Sequence, residues 1–323
     1  SGAVSARTIS PDRRRNAMSN PALLARHEIP GHLSLRVGPN GLAFADIDNA
    51  HGSASLCLQG AHLMSWRPKD QAEPVVWLSP VATFAPGKSI RGGAPVCWPW
   101  FGPHATESGW PGHGFARTVP WELRDTAALP DASTSIGLTL TPTEATRAQW
   151  PHEARLALKV SVGSRLRIEL TTHNPGPQDL VLGEALHTYL GIGDIGAIEV
   201  QGLDACEYVD KVAGGARKVQ RGAVRFAGEV ERVYLNTSAD CVIVDPGLKR
   251  RIEIAKTGSR ATVVWTPWAE KADKMGDFGP GRAGHGGWRE MVCVESANAL
   301  DNVVTVPAGG SHTLSVSYAA LPL

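Results

Sequence analysis

From Leu33 to the C-terminus, apolar and polar residues alternate in short runs, and this period of two restricts the chain more than any other feature. LSLRV and LAFADI are followed by Ala54, Leu56 and Leu58 alternating with Ser55, Cys57 and Gln59. The same rhythm returns at Ile136-Leu138-Leu140, Leu156-Leu158-Val160-Val162, Leu166-Ile168-Leu170, Ile252-Ile254 and Leu314-Val316-Tyr318. Successive side chains of a strand point to opposite faces, so each run buries one face and wets the other. Asn174-Pro175-Gly176 and Asp245-Pro246-Gly247 sit between runs, where Pro sets one dihedral and Gly supplies a positive one. Many short strands with closely spaced turn signals predict an all-β fold, a large antiparallel β-sandwich or barrel. Only PALLARHE and residues 144–150 read as helix. No linker interrupts the pattern, so residues 28–323 are expected to form one domain behind a polar, flexible extension at 1–27 that holds Arg13, Arg14, Arg15 and the candidate start Met18.

Composition narrows the partners. With 42% hydrophobic and 20% charged residues, the chain has apolar material for a large core. A formal net charge of +1 excludes a surface that holds nucleic acid by bulk electrostatics, so any anion must be bound locally. The five cysteines, at 57, 97, 206, 241 and 293, are scattered and form no CxxC pair; neither a disulfide framework nor a zinc knuckle is indicated. No apolar run approaches a membrane span and no hydrophobic signal core precedes the strands. A cytoplasmic protein with reduced thiols is expected, and the lack of a heptad pattern points to a monomer.

Two segments, residues 79–119 and 265–288, break the strand rhythm. Long irregular loops in a β domain cost ordering entropy without adding strand pairs, so they are more often functional than accidental, and these two are expected to face each other across a groove. The first contains SIRGGAPVCWPWFGPH at 89–104 and GHGFAR at 112–117. Its prolines stiffen the backbone while Gly92 and Gly93 let it turn. Arg91, His113 and Arg117 among indole rings suit an anionic ligand with an apolar face, such as a phosphorylated sugar. The plainer role for these arginines is to bind loop carbonyls. Two or three of Trp98, Trp100, Trp110, Trp265, Trp268 and Trp288 are expected at the groove, where sugar rings stack on indole.

His187 in EALHTYL shares a strand face with Ala185 and Tyr189, and Glu295 closes MVCVE on the face of Met291 and Cys293. One histidine and one carboxylate suffice for proton transfer to and from a hemiacetal. A hydrogen-bonded core histidine and a solvated strand-end Glu are the bland alternatives. Gly191-Ile192-Gly193-Asp194-Ile195-Gly196 matches GxGxxG but runs into AIEVQGL, another alternating stretch, so a dinucleotide site is rejected. The eleven histidines show no HxH or HExxH spacing, and no metal or other cofactor is expected. Lys249-Arg250-Arg251 reads as a solvated hairpin end.

SIRGGAPVCWPWFG, PGHGFAR, LHTYL, EVERVYL, WTPWAEKADKMGDFG and MVCVESAN stand in the order found in the hexose-6-phosphate mutarotases, the glucose-6-phosphate 1-epimerases related to aldose 1-epimerases, and the chain resembles that family over nearly its whole length after residue 28. The resemblance implies a galactose-mutarotase-like β-sandwich that interconverts the α and β anomers of an aldohexose 6-phosphate. It places His187 and Glu295 on the catalytic acid and base, and Arg91, His113 and Arg117 on substrate-binding positions; of the groove tryptophans, Trp268 is the one expected to bind substrate. Glu231 stands where the family usually has Asp, one methylene farther out. An aldose 1-epimerase acting on free sugars, or a non-catalytic carbohydrate-binding protein, would fit part of the pattern; the latter has no need for His187 and Glu295 to converge.

Overall fold

The computed structural model describes residues 20–323; Arg13 to Arg15 and Met18 lie outside them. Asn20 caps a short helix, Pro21–Leu24, by accepting the Ala22 amide at 3.0 Å, and a 3₁₀ turn, Ala25–His27, follows. Leu24 is buried in the main core, so residues 20–27 fold back onto the sheets instead of extending from them.

The alternating runs form antiparallel strands. One eight-stranded sheet runs in the order Glu199–Gln201, Cys241–Asp245, Arg250–Thr257, Ser311–Pro322, Leu166–His173, Arg155–Val162, Thr134–Leu140, Glu122–Ala128. A second has the path Ala216–Val219, Glu207–Asp210, Val230–Tyr234, Ala261–Thr266, Met291–Asn298, Glu184–Leu186, Val96–Cys97, with Tyr189–Gly191 also paired to Met291–Asn298. A four-stranded sheet, Leu33–Val37 to His62–Pro68, and a two-stranded one, Leu180–Leu182 with Val304–Val306, complete the set.

Val264, Val292 and Val294 of the second sheet join Leu170, Ile254 and Val316 of the first in one buried cluster, which is the sandwich core. Polar ties cross it: Trp98 Nε1 donates to Thr172 Oγ1 at 3.0 Å and Tyr318 Oη to Thr188 Oγ1 at 2.7 Å. The other face of the second sheet bears the two long segments. Both predicted turns are closed by their first side chain, Asn174 accepting from the Gly176 amide and Asp245 from the Leu248 amide. Gly191 ends a strand and residues 199–201 begin the next, with no helix between them, so the GxGxxG stretch is a β–β connection.

Two expectations change. The segment at 265–288, expected to be irregular, holds the helix Trp268–Met275, which ends at Gly276 in the left-handed conformation. Arg250 is not solvated: it is 2% exposed. Its guanidinium donates to Gln71 Oε1, to the carbonyls of Glu73 and Pro74, and to that of Gly191 at 2.8 Å. As the first residue of an inward-facing strand position it serves loop carbonyls that would otherwise be unpaired.

Candidate active site

A cavity of about 270 Å³ opens on the outer face of the second sheet. Strand register explains what reaches it. Leu186 pairs with Ser296 and Tyr189 with Cys293, which sets His187 beside Glu295 across the strand gap. Val263 pairs with Glu295, and Glu231 with Trp265, which pairs in turn with Cys293. Directly paired residues point to the same face, so one face collects His187, Glu295, Glu231, Trp265 and Tyr189. All five line the cavity, with Arg91, His113, Arg117, Lys271 and Asp277 contributed by the two long segments.

Those segments are built into the sheet. The His187 amide donates to Pro95 O at 3.0 Å and the Tyr189 amide to Gly93 O at 2.8 Å, so residues 93–95 act as a further strand edge. Gly93 has φ +70°, and a Cβ there would strike Leu63 O and the His62 ring. His62 is fully buried and donates from Nε2 to Gly92 O, 2.8 Å away; burial lowers its pKa to about 4. His113 sits at φ +65° next to Gly114, whose missing Cβ is what lets the chain pass the Trp98 carbonyl. A left-handed non-glycine backbone at a cavity wall is strain held in place by its surroundings.

His187 Nε2 lies 3.3 Å from Glu295 Oε1, with the side chains 12% and 1% exposed. Neither His187 Nδ1 nor Glu295 Oε2 has a hydrogen-bond partner. The His187 ring stacks on Tyr189, centroids 5.1 Å apart, and meets Trp265 and His113 edge-on. Burial, reinforced by the charge of Glu231, raises the Glu295 pKa well above 4.5, with Arg117 opposing. Burial, then His113 and Arg117, lowers His187 well below 6.5. His113 is lowered to about 3 by burial and Arg117. Both shifts disfavour charge, so a protonated carboxyl beside a neutral imidazole is the favoured arrangement of the pair's one shared proton. A donor pair with one shared proton, in reach of a cavity, can take a proton from one ligand oxygen and give one to another.

Arg91 is spoken for on two sides. Its Nε donates to both oxygens of Asp277 at 3.0 and 2.9 Å, and a terminal nitrogen donates to Tyr189 Oη at 2.7 Å, over the Phe278 ring. Arg117 gives one hydrogen bond, to Gly112 O at 2.9 Å, and lines the cavity. Lys271 bridges Glu229 and Glu231 at 2.7 and 3.2 Å.

Six sequence candidates thus converge: His187, Glu295, Arg91, His113, Arg117 and Glu231. Trp268 does not line the cavity. It begins the helix with its ring tilted against Trp288, 5.1 Å between centroids, and among the described residues Trp265 is the one tryptophan in the lining. Trp98 is buried scaffold. Tyr189, Lys271 and Asp277 were not singled out from sequence. Tyr189 could have been, since it stands two residues from His187 on the same face.

A family model described as aldose 1-epimerase matches residues 45–319. A Salmonella typhimurium protein named "Putative glucose-6-phosphate 1-epimerase" is 38% identical over 256 residues, covering 78% of this chain and 82% of that protein. One of the same name from Cenchrus ciliaris is 32% identical over 294 residues, covering 88% and 86%. A crystal structure of a "putative mutarotase" from Salmonella typhimurium superposes with a TM-score of 0.84 at 34% identity, over 92% of this chain and 96% of that one. At 12% identity, a galactose mutarotase related enzyme from Lactobacillus acidophilus shares the fold, with a TM-score of 0.67 over 85% and 96%.

Proposed function

The chain belongs to the aldose 1-epimerase family and is an isomerase of that kind; we propose that it interconverts the α and β anomers of an aldohexose 6-phosphate, glucose 6-phosphate first among them, with His187 and Glu295 moving the protons. The observation that carries the reading is the approach of His187 to Glu295 at 3.3 Å inside a cavity walled by two arginines. Its size is at the small end of ligand cavities and suits a monosaccharide better than a glycan chain. Proteins named for glucose-6-phosphate 1-epimerase among the relatives point the same way.

Ring opening needs a proton removed from the C1 hydroxyl and one delivered to the ring oxygen. Transfer of the shared proton from Glu295 to His187 over 3.3 Å readies a carboxylate as base and an imidazolium as acid. Glu295 takes the O1 proton, His187 protonates O5, and the C1–O5 bond breaks to leave the aldehyde. Rotation about C1–C2 offers the other carbonyl face, and closure reverses both transfers. Arg117 lowers the cost of the carboxylate form. No atom is gained or lost, and the pair returns to its starting protonation state.

In this reading Arg117 and Arg91, both in the cavity lining, hold the phosphate by charge-assisted bonds, for which a free sugar has no use. Glu231 reaches toward a sugar hydroxyl with Lys271 as its counter-ion. Exchange rates of glucose 6-phosphate and glucose in Arg91→Ala and Arg117→Ala test this. The expected result is a KM for glucose 6-phosphate raised about tenfold or more, with turnover of glucose unchanged. Equal effects on both sugars would contradict a phosphate role and favour an epimerase of unphosphorylated aldoses.

A further inference from the structure

We propose that His187, Cys293 and Glu295 form a latent Zn²⁺ site, and that zinc bound there is a reversible inhibitor. The inference goes beyond the proposed substrate and stands on the geometry of three side chains. One donor atom from each lies within 4.8 Å of the others. A point common to three atoms so spaced is no more than about 2.8 Å from each, and zinc bonds to sulfur, imidazole and carboxylate run from about 2.0 to 2.3 Å. Movement of about 0.5–0.8 Å per ligand therefore closes the site.

The donor set is one nitrogen, one sulfur and one oxygen, the mixture that a borderline-soft ion with tetrahedral preference accepts. Glu295 is 1% exposed, and its Oε2 is buried without a hydrogen-bond partner, as is His187 Nδ1. Unpaired polar atoms in such a place are costly, and a cation bound to the Glu295 carboxylate offsets part of that cost. Cys293 lies two residues before Glu295 on the same strand face, between its strand partners Tyr189 and Trp265, and is fully buried. Anomer exchange makes no use of its thiol. The cavity gives the ion a way in to His187 and Glu295 and leaves its fourth position open to water or to a sugar oxygen.

Zinc at this point is incompatible with the proton traffic of mutarotation. As the metal bonds form, the thiol proton and the proton shared by His187 and Glu295 both leave to solvent, and the lone pairs of His187 and Glu295 that would carry protons become metal bonds. The ion thus competes with the proton the pair must share.

Two readouts separate this from the catalytic reading. Co²⁺ titrated into the protein should give a thiolate-to-cobalt charge-transfer band and intense tetrahedral d–d absorption at one equivalent, lost in Cys293→Ala and kept in Cys97→Ala. Anomer exchange should fall with added ZnCl₂ and recover with EDTA, with the inhibition constant raised at least about tenfold in Cys293→Ala. A wild-type protein with no thiolate–cobalt band, or zinc inhibition equal in wild type and Cys293→Ala, would overturn the proposal. The cobalt spectrum does not depend on which sugar is turned over, so its failure is distinct from failure of the substrate assignment.

Discussion

The His187–Glu295 pair sets a carboxyl whose pKa burial raises against an imidazole whose pKa burial lowers. Such a pair titrates as a unit. Because His187 is shifted below 6.5 and Glu295 above 4.5, the singly protonated form spans a window wider than either free group would allow. Acid adds a second proton only well below 6.5, and alkali removes the last one only above the ordinary carboxyl range. The kcat for anomer exchange should accordingly show no loss centred on 6.5, the value of an unperturbed imidazole, as pH falls; a loss with that midpoint on acidification would mean that His187 titrates independently. The sequence announced both residues because each breaks an apolar alternation with a group that is expensive to bury. It could not announce their separation, which depends on the register between Glu184–Leu186 and Met291–Asn298.

At the scale of elements, what matters is how irregular segments are fastened. The segments at 79–119 and 265–288 meet through Arg91 and Asp277, and Ser79 Oγ donates to Asp277 O at 2.6 Å. Their long departure from strand rhythm was enough to predict that they face each other. The helix Trp268–Met275 was obscured by its neighbours: eight residues flanked by Pro267 and a glycine-rich stretch carry too little periodicity to stand out. Trp268 was misplaced for the same reason, since helix geometry turns its ring toward Trp288 and presents Lys271 to the cavity. Arg250 shows that a basic run is ambiguous when loop carbonyls need donors. Replacing it by Met would leave four acceptors unpaired. Denaturant titration should find a loss of about 3 kcal/mol, while a stability within 0.5 kcal/mol of wild type, about the spread of neutral surface changes, would contradict the clasp.

Over the whole molecule, the sandwich was legible because a period of two persists from Leu33 to the C-terminus, whereas strand order, made by contacts far apart in sequence, was not. One long-range tie is titratable. Glu184, fully buried on the second sheet, meets His312 of the first at 2.9 Å and Asn298 Nδ2 at 2.8 Å. The bond to Glu184 raises the His312 pKa above 6.5. A raised folded value means that this stabilisation is complete below 6.5 and disappears as pH rises through the folded pKa. Its size should be about 1 kcal/mol. Denaturant midpoints measured across that range should lose this component in His312→Gln, and identical pH profiles for the two proteins would rule the tie out. The assignment of the site itself rests on catalysis by Glu295 with His187. NMR magnetisation exchange between the α and β anomers of glucose 6-phosphate should be faster with wild-type protein than without it. In Glu295→Gln, with an unchanged far-UV circular dichroism spectrum, it should fall by about 10²–10⁴-fold. Exchange as fast in that variant as in wild type would contradict the assignment.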